Sequence, residues 1–291
     1  MIDFEFHHAS DLNQAFALLD EHGDDARLMS GGTALVLQMK QRFSQPGHVI
    51  GLRRIAGLGS IEETDDGSIR IGALCTQRQV ENHPLVAERL PLVAQAYRYV
   101  ATPRIRNMAT VGGGLAHGDP NQDPPPSLIA LGASVILSSA SGGQRILRAE
   151  EIFLDYFDTD VRPGEIVTGL VVPPAPDGAG TAYLKFLPRT ADDYATVSVA
   201  AVVTPDAAGN CQDIRIVLGS VGLTPIRATA AEDALRGQPL TDENIRAAAA
   251  TVPDAVDPLD DHRGSAEYKR EMAGVFTRRA IAQAMTNAGM G

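Results

Sequence analysis

Leu28-Met29-Ser30-Gly31-Gly32-Thr33-Ala34-Leu35 is the first of two glycine segments that decide the fold of this chain. The second is Thr110-Val111-Gly112-Gly113-Gly114-Leu115. Each lies between an apolar run and a stretch with helical spacing. Glycine permits positive φ and close approach of a ligand to the backbone, and the free N–H groups in the first turn of a helix attract an anion. Two such segments in one chain predict that both contact the diphosphate of a single ligand.

The acidic balance of the chain argues against a nucleic-acid partner. Among 291 residues, 36 are acidic and 25 are basic, and the net charge is −11 at pH 7 with neutral histidines. Affinity for a phosphate backbone depends on clustered Lys and Arg. The hydrophobic content of 44% and charged content of 21% are ordinary for a globular protein, and the length predicts two or three subdomains around a sizeable core.

The cysteines and the apolar patterning restrict the class further. Cys75 and Cys211 lack the paired spacing of a zinc or iron–sulfur site, so we expect no metal ligands in this chain. His117 stands alone and is assigned neither a metal nor a catalytic role. The sequence shows no basic leader and no apolar run of about eighteen residues. We therefore expect a cytoplasmic protein without a membrane span.

The first 55 residues are predicted to form a small parallel α/β unit. Ser10 is expected to cap a helix that ends at Gly23, and strands are expected at residues 26–29 and 48–52. The first glycine segment then follows the carboxyl end of a strand, where open α/β sheets bind ligands.

Residues 56–176 are predicted to form a middle α+β subdomain, and residues 177–291 a C-terminal α+β domain. The middle part begins with a hairpin around Asp65-Asp66-Gly67 and a capping box formed by Thr76 and Gln79. Residues 173–178, rich in proline, form the clearest linker. Beyond them, three strand-like runs precede three helical segments, an order typical of α+β domains.

Five motifs in a consistent order resemble the flavin subunit of molybdenum hydroxylases. They are Gly31-Gly32-Thr33, Ile105-Arg106-Asn107 before the second glycine segment, Ala116-His117-Gly118-Asp119-Pro120 with Asp123, Lys185-Phe186, and Arg263-Gly264-Ser265-Ala266-Glu267-Tyr268. The resemblance covers nearly the whole chain and is closest to the medium subunit of carbon monoxide dehydrogenase and to xanthine dehydrogenase FAD subunits. It implies an α+β fold, with a two-subdomain FAD-binding part of the vanillyl-alcohol-oxidase (PCMH) type followed by a small C-terminal domain.

The resemblance also implies non-covalent FAD binding and no catalytic residue in this chain. It implies that the first segment wraps the diphosphate and that the second segment approaches the other side of the diphosphate. It also implies that Asp123 binds a ribose hydroxyl and that Lys185 lies near the flavin ring. Gly114 replaces the family's usual Asn or Asp, which removes one hydrogen bond to the cofactor. The cofactor-binding residues that it implies are Leu28, Met29, Ser30, Gly31, Gly32, Thr33, Ala34, Leu35, Val100, Thr110, Val111, Gly112, Gly113, Gly114, Asp123, Val167 and Lys185.

Several of these residues also have an ordinary structural interpretation. Asp123 could cap the helix that begins at its three following prolines, and Val100 and Val167 could belong to the core. Lys185 could carry a solvated ammonium on a strand, and residues 104–106 are interpreted as a solvated loop. Residues 263–268 are interpreted as a structural lead into the last helix.

The resemblance further implies a place in a larger complex. In that family the flavin subunit works beside a small subunit with two [2Fe-2S] clusters and a large subunit with the molybdenum cofactor, here expected as a dimer of heterotrimers. FAD passes electrons from the clusters to an acceptor. Two alternatives stay open: a self-contained FAD-dependent oxidase or reductase of the same fold, and a non-enzymatic nucleotide-binding assembly module.

Overall fold

The computed structural model describes residues 1–187, 190 and 193–290. Within them the chain forms a three-stranded parallel sheet, a five-stranded and a four-stranded antiparallel sheet, and a two-stranded hairpin. The mixed α+β class predicted from the sequence is confirmed.

The N-terminal unit is the parallel sheet with order β1-β3-β2. Phe16 of its first helix packs in one apolar cluster with Ile50 of its central strand. The helix begins after Asp11, whose carboxylate accepts from the N–H of Gln14, so Asp11 and not Ser10 is its cap. The elements are β1 (Glu5–His8), α1 (Leu12–His22), β2 (Ala26–Met29), α2 (Thr33–Gln41) and β3 (His48–Gly51).

The middle part surrounds an antiparallel sheet with order β4-β5-β10-β6-β7. The hairpin near residue 66 and the capping box of Thr76 and Gln79 are both present, as predicted. The elements are β4 (Ile61–Glu63), β5 (Ile69–Gly72), α3 (Gln77–Asn82), α4 (Pro84–Arg89), α5 (Pro91–Arg98), α6 (Pro103–Arg106), α7 (Val111–His117), α8 (Pro124–Ala130), β6 (Ser134–Ser139), β7 (Gln144–Arg148), β8 (Phe153–Asp155), β9 (Asp158–Thr159) and β10 (Glu165–Val172).

The C-terminal part is an antiparallel sheet followed by helices, as its sequence order predicts. The long last helix of this part packs against the first strand of the C-terminal sheet. The contact is so close that a Cβ at Gly180 would overlap the carbonyl oxygen of Ala284. The elements are β11 (Gly180–Phe186), β12 (Val197–Pro205), β13 (Cys211–Gly219), β14 (Ile226–Arg227), α9 (Thr229–Leu235), α10 (Asp242–Ala249), α11 (Val252–Ala255) and α12 (Ala266–Asn287).

The C-terminal sheet packs on both of its faces. Along β12, Ala200 and Val202 join the apolar cluster of the middle part, whereas Val199, Ala201 and Val203 join the cluster beneath the C-terminal helices. Successive strand residues point to opposite faces, and burying a valine side chain stabilises the fold by about 1.5–3 kcal/mol. The apolar cluster of the middle part is therefore built from residues of both parts. This shared packing fixes β11 beside the helices of the middle part.

Candidate cofactor-binding cleft

A cleft of about 1140 Å³ lies where the N-terminal unit, the middle part and β11 meet. This volume is at the upper end of the range for small-molecule sites, so it suits a large ligand. Both glycine segments line the cleft. All the cofactor-binding residues named from the sequence line it, except Val111, whose buried side chain packs in the core of the middle part.

The first glycine segment turns the chain from β2 into α2. Gly32 has a φ of +75° and is the residue before the helix, a conformation that other residues adopt only with strain. It supplies no side-chain cap, and the first helical hydrogen bond runs from the N–H of Val36 to its carbonyl. The N–H groups of Thr33, Ala34 and Leu35 therefore have no intrahelical partner, and these residues line the cleft.

The second glycine segment is the first part of a helix, α7, and not a turn before one. Thr110 caps this helix by accepting from the N–H of Gly113. The N–H groups of Val111 and Gly112 donate to the carbonyls of Cys75 and Ala73, and that of Gly114 to the carbonyl of Thr110. The expectation that both segments offer free N–H groups is therefore wrong for the second. This segment contributes a backbone surface without side chains.

A single hydrogen bond joins the two segments. Ser30 Oγ lies 2.8 Å from Thr110 Oγ1. A Cβ at Gly113 would lie 2.7 Å from Ser30 Oγ, and a Cβ at Gly31 would overlap the carbonyl oxygen of Met108. The glycines are thus required by the close approach of the segments to one another as well as by the opening of the cleft.

Asp123 and Lys185 form a buried ion pair in the cleft wall. Lys185 Nζ donates to Asp123 Oδ2 at 2.9 Å and to the carbonyl of Tyr99 at 3.0 Å. The Tyr183 hydroxyl donates to Asp123 Oδ1 at 2.7 Å. The side chains of Lys185 and Asp123 are 1% and 4% exposed, so the interpretation of Lys185 as a solvated strand lysine is wrong.

The Asp123 carboxylate does not cap the following helix. It makes no side-chain hydrogen bond to α8, because both of its oxygens are held by residues of β11. Burial raises the pKa of Asp123 to about 6, while Lys185 and Tyr183 oppose this shift. Burial and the nearby Asp123 charge also raise the pKa of Tyr183 well above its ordinary value. The ionisation of Asp123 in the cleft wall therefore depends on the Lys185 ammonium.

Arg106 supports the cleft wall by holding the backbone of residues that adjoin it. Its side chain is buried and pairs with Glu81 at 2.8 Å, and its Nη1 donates to the carbonyls of Val100 and Ala101. The interpretation of residues 104–106 as a solvated loop is therefore wrong, because they belong to α6 and Arg106 is buried. Its hydrogen bonds fix the backbone at Val100, which lines the cleft.

Several lining residues have no assignment from the sequence. Tyr194 donates to Asp119 Oδ2 at 2.6 Å, and the guanidinium of Arg263 lies 5.3 Å from the centre of the Tyr194 ring. Gln77 is buried, lines the cleft, and its Oε1 has no hydrogen-bond partner among the described residues. Asp119 and Arg263 stand in quoted motifs, whereas Tyr194 and Gln77 belong to no pattern that could have identified them.

An uncapped helix N-terminus, a glycine surface without side chains and a buried ion pair around one cleft are features of a site for a large phosphorylated cofactor. The chain belongs to the family described as FAD binding domain in molybdopterin dehydrogenase, whose profile matches residues 2–175. Residues 182–284 match the CO dehydrogenase flavoprotein C-terminal domain. The resemblance stated from the sequence motifs is confirmed.

Relatives and solved structures agree with this assignment. The carbon monoxide dehydrogenase medium chain of Hydrogenophaga pseudoflava is 37% identical over 278 residues, covering 96% of each chain. The 6-hydroxypseudooxynicotine dehydrogenase complex subunit alpha of Paenarthrobacter nicotinovorans is 34% identical over 285 residues, covering 98% of this chain and 95% of that protein. A structure of the Hydrogenophaga pseudoflava carbon monoxide dehydrogenase that lacks the Mo-pyranopterin moiety matches with a TM-score of 0.94 and 39% identity over 99% of each chain.

Among residues 1–187, 190 and 193–290, no helix combines the length and apolar composition that crossing a bilayer requires.

Proposed function

We propose that this chain is the FAD-binding electron-transfer subunit of a molybdenum- and iron–sulfur-containing dehydrogenase. The observation that carries the proposal is the shared cleft: two glycine segments 80 positions apart meet at the Ser30–Thr110 hydrogen bond and line one space with Asp123 and Lys185. Bound FAD would accept electrons from [2Fe-2S] clusters of a neighbouring chain and deliver them to an acceptor.

The residues of the cleft fit FAD in three ways. The partnerless N–H groups of Thr33, Ala34 and Leu35 suit the diphosphate. The unpaired Oε1 of Gln77 is a buried acceptor that a cofactor hydroxyl or N–H group can satisfy. The ammonium of Lys185 is the positive half of a buried ion pair with Asp123, and it would supply a cation to a reduced flavin ring at a place where burial strengthens its effect relative to water.

Asp123 has a structural role in addition to the one that the resemblance implies. Both of its oxygens already accept hydrogen bonds from Tyr183 and Lys185. A carboxylate oxygen can accept a second bond, so a ribose hydroxyl remains compatible with this geometry. Its first role is to hold the Lys185 ammonium at a fixed position in the wall.

The mouth of the cleft fits a protein neighbour. Leu37, Phe43 and Ile105 line it, and they are 53%, 83% and 40% exposed. Apolar side chains grouped at the rim of a site are typical of docking surfaces. We assign the partners as a small chain with two [2Fe-2S] clusters and a large chain with the molybdenum cofactor. Related chains belong to dehydrogenases of unlike substrates, so the substrate is determined in the large chain.

We place the complex in the cytoplasm. Cys75 and Cys211 are both buried free thiols, as is usual in a reducing compartment.

Isolation of the complex tests the proposal. A tagged copy of this chain, expressed in its native host, is expected to copurify with two companion chains that carry iron and molybdenum, and to contain one FAD per copy. The flavin of this complex should be bleached by a substrate of the large chain, and the flavin of the isolated chain should not. A chain that turns over small substrates alone would instead be a self-contained oxidase, and a colourless chain would be an assembly module.

A further inference from the structure

Three histidines from separate elements meet beside the parallel sheet. They are His7 of β1, His22 at the end of α1, and His48, the first residue of β3. Their ligand atoms all lie within 4.8 Å of one another. His7 Nε2 is 3.0 Å from His48 Nδ1, and the rings of His22 and His48 stack with centroids 3.7 Å apart.

The spacing of these nitrogens is close to that of a metal site. Tetrahedral zinc binds imidazole nitrogens at about 2.0–2.1 Å, which places two such nitrogens about 3.3 Å apart. The His7–His48 pair is already near this separation. The rings of His22 and His48 are stacked nearly parallel, so one of them must turn before both can direct an in-plane lone pair at the same ion. Between neutral rings, one nitrogen of the 3.0 Å contact carries a proton, and a metal ion bound there would shift that proton to the other nitrogen of the same ring.

Negative charge lies beside the cluster at two places. The Glu5 carboxylate has one oxygen 3.9 Å from His7 Nδ1 and the other 3.9 Å from His48 Nδ1. His22 is the last residue of α1, where the helix dipole places partial negative charge. The Glu5 carboxylate and the end of α1 therefore favour a bound cation over three imidazoles without an ion.

The backbone around the cluster is fixed. Glu5 pairs directly with His48 across the parallel strands, and its N–H donates to the carbonyl of Gly47 at 2.8 Å. The N–H of Gly47 donates to Asp25 Oδ1 at 2.8 Å. Ligands held by strands and a helix end are more precise than ligands on loops.

We propose that His7, His22 and His48 bind one divalent transition-metal ion, with zinc as the favoured ion and Glu5 or water as the fourth ligand. Three imidazoles are a common zinc ligand set. The ion would tie α1 to β1 and β3. None of the three histidines lines the cleft, so the site is separate from it and does not depend on the proposed function.

Zinc titration of the untagged, full-length chain tests this proposal. We expect one zinc per chain by equilibrium dialysis, a higher melting temperature with zinc, and an X-ray absorption spectrum with three histidine ligands. His48→Gln and His22→Gln, made separately, should each weaken zinc binding by on the order of a hundredfold or more, since loss of even an outer-shell partner costs 10–100-fold. FAD content should not change.

His8→Gln is the matched control. His8 is an exposed residue of the same strand, next to His7 and on the other face. It should bind zinc like the unmodified chain, and circular dichroism should show that all three variants fold. The proposal is overturned if the unmodified chain takes up no stoichiometric zinc, if His48→Gln and His22→Gln bind zinc as tightly as His8→Gln, or if the absorption spectrum shows no histidine ligands.

Discussion

Ser30 Oγ and Thr110 Oγ1, 80 positions apart in sequence, lie 2.8 Å from each other at the floor of the cleft. Thr110 also accepts from the N–H of Gly113, so its hydroxyl both begins α7 and joins the two glycine segments. Because Thr110 is buried, water cannot replace the hydrogen-bond partners of its hydroxyl.

Thr110→Ala is therefore expected to affect both stability and cofactor binding. Loss of the cap should lower the free energy of unfolding by about 1–2 kcal/mol, and loosening of the two segments should weaken FAD binding by about tenfold. Flavin fluorescence titration of the cofactor-free protein measures the affinity. Thr241→Ala removes the cap of α10, far from the cleft lining, and should lower stability without changing the affinity. Equal FAD affinities in the two variants would contradict the role of Thr110.

Gly32→Ala tests the backbone geometry of the first segment. Gly32 has a φ of +75°, and an added Cβ would lie 3.0 Å from Met29 Sδ. Alanine should cost about 1–2 kcal/mol of stability through left-handed strain and should weaken FAD binding at least tenfold, because the N–H groups of α2 would shift. Gly57→Ala is the matched control, since Gly57 has a φ of +82° with nothing near its Cβ position. It should share the strain and bind FAD normally, as measured by the same titration and by urea unfolding.

Lys185→Met should make stability depend on pH near neutrality. Burial already raises the pKa of Asp123 to about 6, and Lys185 opposes that shift. Without the ammonium, the folded state keeps the proton on Asp123 to still higher pH, whereas the unfolded state releases it near pH 4. The folded state then binds more protons, so its stability falls as pH rises. The free energy of unfolding should fall by about 1.4 kcal/mol for each unit by which the Asp123 pKa rises. Urea unfolding of the cofactor-free variant measures this loss.

Lys269→Met provides the comparison for that experiment. Lys269 is also a buried lysine paired with a carboxylate, at 2.9 Å from Asp261. Asp261 is more exposed and its pKa is lowered, chiefly by hydrogen bonds from Lys269 and the Arg263 N–H, against the effect of burial. In the variant, Asp261 keeps the hydrogen bond from the Arg263 N–H and the ion pair with the Arg263 guanidinium, so we expect its charge to persist from pH 5 to 8 in the folded and the unfolded state. If the two variants lose stability in parallel between pH 5 and 8, the account of Asp123 is wrong.

Gly114 offers a gain-of-function test. The structure places Gln122 where a larger side chain would stand: its Oε1 is 2.9 Å from the Cβ position of Gly114, and its Nε2 donates to the Gly114 carbonyl. Gly114→Asn alone should bind FAD no better than the unmodified chain. Combined with Gln122→Ser, it should bind about 3- to 10-fold more tightly, the value of one added hydrogen bond. Titration of the single and double variants separates these cases, and a double variant without tighter binding would contradict this placement.

Local signals explain what the sequence predicted. The Asp65-Asp66-Gly67 turn and the Thr76–Gln79 capping box depend on neighbouring residues, and both form as expected. The β-rich, apolar run of β12 likewise predicted a strand. By contrast, β1 has mostly exposed side chains and lacks an apolar pattern, and β7 alternates exposed and half-buried residues, so neither strand was predicted.

Long-range contacts explain what the sequence missed. Lys185 and Asp123 are 62 positions apart, and their pairing follows only from the packing of β11 on the middle part. The N–H groups of the second glycine segment are used by Ala73 and Cys75, which no local motif indicates. The three histidines of the N-terminal unit come from three elements, without the close spacing of a metal motif.

Comparison of FAD with riboflavin as ligands of the cofactor-free chain tests the central claim most directly. Riboflavin lacks the diphosphate that the N–H groups of Thr33, Ala34 and Leu35 are proposed to hold. We predict by isothermal titration that one FAD binds per chain and at least about a hundredfold more tightly than riboflavin, the value of one or two hydrogen bonds to a charged group. If riboflavin binds within a few-fold of FAD, the diphosphate is not held by the glycine segments.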